Sequence, residues 1–185
     1  MGIKQVKPPR DEMFACVARA TQVQATNDGF PDSGLPGCDR WICNYLGSEP
    51  EANTPAGQTA IPVVKHLKPG FGVSFIKASP GNGVPAHVHD TNETFMVLEG
   101  KWRIEWEGDR GIDSVELIKH DLISIPPGVS RRFENLETEP GAELGTMLGI
   151  IAGDKPEAEF SREAVEFLVN HGRLPAEQLE KFEQS

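Results

Sequence analysis

The chain has 185 residues, with 18 Lys and Arg against 28 Asp and Glu, a formal net charge of −10. That length suits a single domain with decoration, and the negative balance repels phosphate backbones and anionic lipid surfaces, which argues against nucleic acid or membrane as partner. The longest apolar stretches, such as Met147 to Ala152, fall far short of the roughly 20 residues that span a bilayer, so a soluble protein is expected.

The opening MGIKQVKPPRDEMF carries basic residues with no apolar run behind them, unlike a secretory signal. Val6 stands where a myristoylation motif needs Ser or Thr. A cytoplasmic location is therefore the expectation. Cys16, Cys38 and Cys43 have no CxxC spacing and read as reduced thiols rather than a disulfide framework; a zinc site completed by a histidine is their functional alternative.

From Phe14 to about Thr59, short β-rich runs (FACVARATQVQA, RWICNYLG) mix with NDGFPDSGLPG and SEPEANTPAGQ, whose Gly, Pro, Asn and Asp favour turns. Residues 1–60 are read as an arm of irregular strands. From Ile61 to Asp154, alternating apolar and polar runs recur at intervals of about ten with Pro-Gly, Glu-Gly and Pro-Pro-Gly between them, the signature of an antiparallel sandwich or barrel. Phe71, Val73 and Phe75 share one strand face and Trp102, Ile104 and Trp106 another, both suited to packing. In residues 155–185 the period lengthens. SREAVEFLVNHG places Ala164, Val165 and Leu168 on one helical stripe between an N-cap at Ser161 and a stop at Gly172. LPAEQLEKFEQS offers Pro175 at the start of a second helix, with Leu179 and Phe182 as a pair.

The chemistry concentrates in GNGVPAHVHDTNETFMVLEG, residues 81 to 100. Side chains two apart in a strand share a face, so His87 and His89 present both imidazoles to one interior while Val88 points away. A turn through Asp90, Thr91 and Asn92 would return Glu93 beside them. Two neutral imidazoles and a carboxylate, with coordination positions left open, suit one divalent ion such as Fe, Mn, Ni or Zn. His66, His120 and His171 lack such company and read as structural or surface residues, with His66 a reserve ligand.

The spacing Gly81, His87, His89, Glu93, Gly100 reproduces the first motif of the cupin superfamily without a gap, and the chain resembles that superfamily over roughly Lys65 to Ala152. The resemblance implies an all-β double-stranded β-helix, a jelly-roll barrel whose interior commonly holds a metal. It also implies a homodimer in which an N-terminal arm crosses to the partner. The second motif, HDLISIPPGVSRRFEN, matches at Pro126, Gly128 and Asn135 and departs at two positions. His120 replaces its opening glycine, and Arg131 stands where the fourth ligand, a histidine, is usual. Arginine has no lone pair to offer a metal.

Two readings of Arg131 follow. In one, its guanidinium at the rim anchors an anionic substrate of a mononuclear, dioxygenase-like oxidoreductase, with lyase or isomerase chemistry as alternatives. In the other, Arg131 pairs with Glu93 inside a metal-free small-molecule binder. Arg131, Phe133 and Asn135 share a strand face and are expected to line one wall of the pocket. Phe95 and Val97 should close its deeper end, leaving a site for a small, partly apolar, anionic molecule.

Overall fold

Short alternating runs separated by turn glycines have one economical way to bury their apolar faces, which is to pair into two sheets and pack them together. The computed structural model describes residues 2–47 and 60–182, and the turn-rich reading of SEPEANTPAGQ falls outside them. One antiparallel sheet holds, in spatial order, β1 (Ala25–Thr26), β2 (Trp41–Leu46), β3 (Phe71–Ala78), β10 (Gly145–Ala152), β5 (Glu93–Glu99) and β8 (Leu122–Ile125). The facing sheet holds β11 (Ala158–Phe160), β4 (Gly83–His89), β9 (Arg131–Glu137), β6 (Lys101–Gly108) and β7 (Gly111–Leu117). This is the expected all-β double-stranded β-helix.

Between the sheets lies a core that includes Phe95, Val97, Trp102, Ile104, Phe133 and Met147, each no more than 4% exposed. Trp102 and Ile104 occupy it as their alternation predicts. Phe71, Val73 and Phe75 share a face, but it is the outer one: Phe71 is 39% exposed and Phe75 packs on Tyr45 with ring centroids 4.8 Å apart. Ser74, Ile76 and Ala78 point inward instead. Gly100, at φ 83, links β5 to β6 in a single residue, and a Cβ there would collide with the Glu137 carbonyl oxygen. Only glycine satisfies both conditions.

The arm departs from expectation. Phe14 and Ala15 end a short helix, α1 (Arg10–Ala15), rather than belonging to a strand. Asp11 and Glu12 lie in its first turn, where the helix dipole favours acids, and the segment joins neither sheet among the described residues. The run around Trp41 behaves otherwise: β2 pairs along β3 from Trp41↔Lys77 to Leu46↔Val73, so a boundary at residue 60 divides strands of one sheet.

At the other end, α2 (Arg162–Asn170) buries Ala164, Val165 and Leu168, and Ser161 Oγ accepts from Ala164 N at 3.2 Å. Gly172 follows at φ 67. The second helix, α3 (Glu177–Glu180), starts two residues beyond Pro175. Strand β11, ahead of α2, was not anticipated, because three residues are too few to show a period. Among the described residues, no helix is long and apolar enough to cross a membrane.

Candidate metal centre

His87 and His89 leave the end of β4 on one face, and Glu93 opens β5. These strands belong to opposite sheets, so the turn at residues 90–92 carries the chain across the barrel instead of closing a hydrogen-bonded hairpin. The facing inner surfaces then bring the three side chains together, with ligand atoms all within 4.8 Å of one another. Among the described residues, this is the one group of three such side chains.

The ring nitrogens are sorted by the backbone. His87 Nδ1 lies 2.9 Å from the Pro85 carbonyl oxygen and His89 Nδ1 lies 2.8 Å from that of Glu157. A carbonyl only accepts, so each Nδ1 carries the hydrogen and each Nε2 turns its lone pair inward. Burial holds the His87 pKa down at about 3, helped by the positive charges of Arg131 and Arg40 and opposed by the Pro85 carbonyl. Burial also lowers that of His89, against the pull of Glu93. Both rings are therefore neutral, and their contacts with Glu93 at 4.0 and 3.8 Å are not ion pairs. The result is three electron-pair donors facing one another, a donor set that fits a divalent first-row cation.

Arg131 sits beneath this cluster and not at the rim of the pocket. It is strand-paired with His87, is 1% exposed, and donates from Nε (3.1 Å) and a terminal nitrogen (2.7 Å) to Glu93 Oε2. A buried guanidinium needs an anion, and Glu93 is the one within reach. The reading of Arg131 as a free substrate anchor is corrected accordingly. Because both bonds fall on Oε2, Oε1 remains available on the side of His89, so the ion pair and a metal ligand can coexist on one carboxylate.

The site opens into a cavity of about 630 Å³. Its walls include Ile42, Ile76, Val84, Phe133, Ile151 and Phe160, together with the three candidate ligands. Of the expected pocket residues, Phe133 lines it. Phe95 is fully buried in the core, and Asn135 works elsewhere: its Nδ2 donates to Ala78 O at 2.6 Å and its Oδ1 accepts from Glu137 N at 3.1 Å, tying the two sheets together at a distance from the cavity.

Sequence reasoning missed two contributions. Strand β11 pairs with β4 at Ala158↔His89 and Phe160↔His87, and Glu157, the residue just ahead of it, supplies the carbonyl beside His89. Arg40, immediately before β2, lines the cavity while only 6% exposed. It is the single basic residue between Arg19 and Lys65, a weak signal that it was placed deliberately.

Among the described residues, the cysteines join no group of three or more candidate metal ligands. Cys16 is exposed, with Sγ 3.8 Å from His66 Nε2, while Cys38 and Cys43 are buried elsewhere with raised pKa values, Cys38 to about 11 by burial and the nearby Asp32. His120 occupies a turn at φ 74, and His171 caps α2 with its Nδ1 on Phe167 O.

Fold and site together define a double-stranded β-helix protein with a possible His-His-Glu metal centre. The cupin domain family model matches residues 74–145, which supports a cupin domain over that stretch of the chain. Among solved structures it is similar to peruvianin-I, a cysteine peptidase from Thevetia peruviana latex (TM-score 0.56, 15% identity, 83% of this chain and 80% of that one). It is likewise similar to Rru_A2000 from Rhodospirillum rubrum, a cupin-2 domain (0.53, 11%, 83% and 86%), and to vicilin from hazelnut, Corylus avellana (0.53, 16%, 90% and 46%). At such identities the likeness is one of fold. No curated protein matches the sequence at a significant level.

Proposed function

We propose that this protein is a mononuclear metal-dependent enzyme, dioxygenase-like in chemistry, acting on a small anionic organic molecule. His87 Nε2, His89 Nε2 and Glu93 Oε1 would hold one divalent Fe, Mn, Ni or Zn ion. The observation that carries this reading is the pair of carbonyl-fixed tautomers: two lone pairs and a carboxylate oxygen converge with no hydrogen between them, an arrangement that a cation relieves. When bound, the ion supplies Lewis acidity and, in the case of iron, reactivity towards dioxygen.

The chain's own residues do the rest. Arg131 cancels the Glu93 charge and holds that carboxylate in one orientation. The apolar walls exclude water from the reacting face of a substrate, which strengthens every polar contact made there. Lyase or isomerase chemistry on the same three ligands is the alternative within this reading. A cytoplasmic homodimer completes it, and the net charge of −10 supports the absence of nucleic acid and anionic membrane surfaces among its partners.

A second reading, a metal-free binding barrel, is favoured by the Arg131–Glu93 ion pair, which already supplies the positive charge that a metal would bring. Elemental analysis of protein purified without chelator or histidine tag separates the two. Near one equivalent of one metal per chain, lost in His87→Ala, is the expected result. Full occupancy in His87→Ala would overturn the ligand assignment, and no uptake of any of the four ions would establish the second reading.

A further inference from the structure

Apart from the two histidines, Glu93, Glu159, Asn44 and Ser74, the cavity is lined by apolar side chains and backbone, and one cation is built into it. Arg40 is anchored by its Asp32 ion pair and by a bond from the same terminal nitrogen to Cys38 O at 3.4 Å. Its guanidinium carbon lies 4.8 Å from the centre of the Phe30 ring. The anchorage is one-sided. Nε and the second terminal nitrogen have no hydrogen-bond partner among the described residues, although the side chain is 7% exposed. Asp32, wholly buried, keeps Oδ1 unpartnered as well. A planar guanidinium that met Asp32 in the bidentate way would satisfy both atoms; here it is turned to hold one edge free.

The segment that orients it is firmly seated. Leu35 and Cys38 pack against Leu168 of α2, and Arg173 donates to Ser33 O at 3.2 Å. Arg40 lines the cavity, and its free edge offers two N–H donors to a bidentate acceptor there. The surroundings restrict what fills it. Ile42, Ile76 and Phe133 offer no polar atom, and Glu159, the other acidic wall residue besides Glu93, is exposed at the mouth. One guanidinium edge accommodates one carboxylate through two parallel bonds.

We propose that Arg40 is the anion anchor of this cavity and that its ligand is a monocarboxylate with an apolar body, the carboxylate on Arg40 and the opposite end directed to His87, His89 and Glu93. The assignment deepens the enzyme reading and rests on it only for the role of the far end. Charge bookkeeping favours the same class. Arg40 balances Asp32 and Arg131 balances Glu93, so a divalent ion on the three ligands would leave the cavity with two positive charges, and a bound carboxylate would offset one of them. Carboxylate and metal should then strengthen each other's binding reciprocally.

The test uses phenylacetate and hexanoate as probes, with phenylacetamide and hexanamide as neutral isosteres, titrated calorimetrically into the full chain before and after loading with Fe(II) or Mn(II). The carboxylates are expected to bind saturably in the millimolar range or better and the amides about tenfold to hundredfold more weakly. Arg40→Gln should erase that difference and leave metal content unchanged. Because Arg40→Gln strands the buried Asp32, the paired variant Asp32→Asn with Arg40→Gln serves as the folded control and should show the same loss.

Equal binding of acids and amides, no saturable binding of either acid, or undiminished acid binding in the paired variant would each overturn the anchor. Arg40-dependent acid binding in a chain that takes up no metal would support the anchor while rejecting the metal enzyme. Metal uptake with acid binding indifferent to Arg40 would do the reverse.

Discussion

Arg131 shows how one residue can serve a site without touching its ligand. Its guanidinium is 1% exposed and both of its short bonds end on one oxygen of Glu93. Removing one member of a buried pair leaves an uncompensated charge, so Arg131→Met should cost about 3–5 kcal/mol. Adding Glu93→Gln to the same chain should recover part of that loss, as urea unfolding of the two variants would show. His87 carries a pH signature. Its pKa is lowered to about 3 from 6.5, so the unfolded chain takes up a proton there near pH 6.5 while the folded chain resists until about 3. Stability of the chelator-treated protein should therefore be fully present above pH 6.5 and fall as pH drops through that window, by up to about 1.4 kcal/mol per pH unit from this group. In His87→Gln that part of the slope should vanish.

At the scale of elements, the C-terminal segment does more than cap the barrel. Strand β11 borders β4 beside both histidines, and α2 seats the loop that carries Phe30 and Asp32. Leu168 is wholly buried at that junction. Leu168→Ala should cost about 2–5 kcal/mol and loosen the loop, measurable as a lower thermal midpoint together with weaker carboxylate binding at unchanged metal content. The arm, by contrast, buries nothing in α1. The β-rich run there failed as a strand because β-propensity describes side chains fitting a half-buried pleated surface, and this segment joins neither sheet among the described residues.

For the whole molecule, a ligand that binds only the folded state stabilises it by mass action. Loading with the physiological ion at a hundredfold excess over Kd should add about 2.7 kcal/mol, a Tm rise of roughly 5–10 °C for a chain of this size. Chelator should reverse it. A melting curve indifferent to Fe, Mn, Ni and Zn would favour the metal-free barrel, in which Arg131 alone balances Glu93.

Alternation, turn glycines and the His87, His89, Glu93 spacing are local properties, set by a few neighbouring residues, and they determined the all-β barrel, the shared face of the two histidines and the helix from Ser161 to Gly172. What only the tertiary structure decided is whatever depends on partners distant in sequence. Phe71, Val73 and Phe75 alternate as well as Trp102 and Ile104 do, yet which face turns inward is settled by the sheet on the other side. Arg131 and Asn135 share a strand face, but one meets Glu93 from the opposite sheet and the other meets Ala78 O. Arg40 became part of the cavity because β2 joined the barrel beside β3, and the His89 tautomer was fixed by a carbonyl 68 residues away. Burial and charge act through space, and the chain places those neighbours only when it folds.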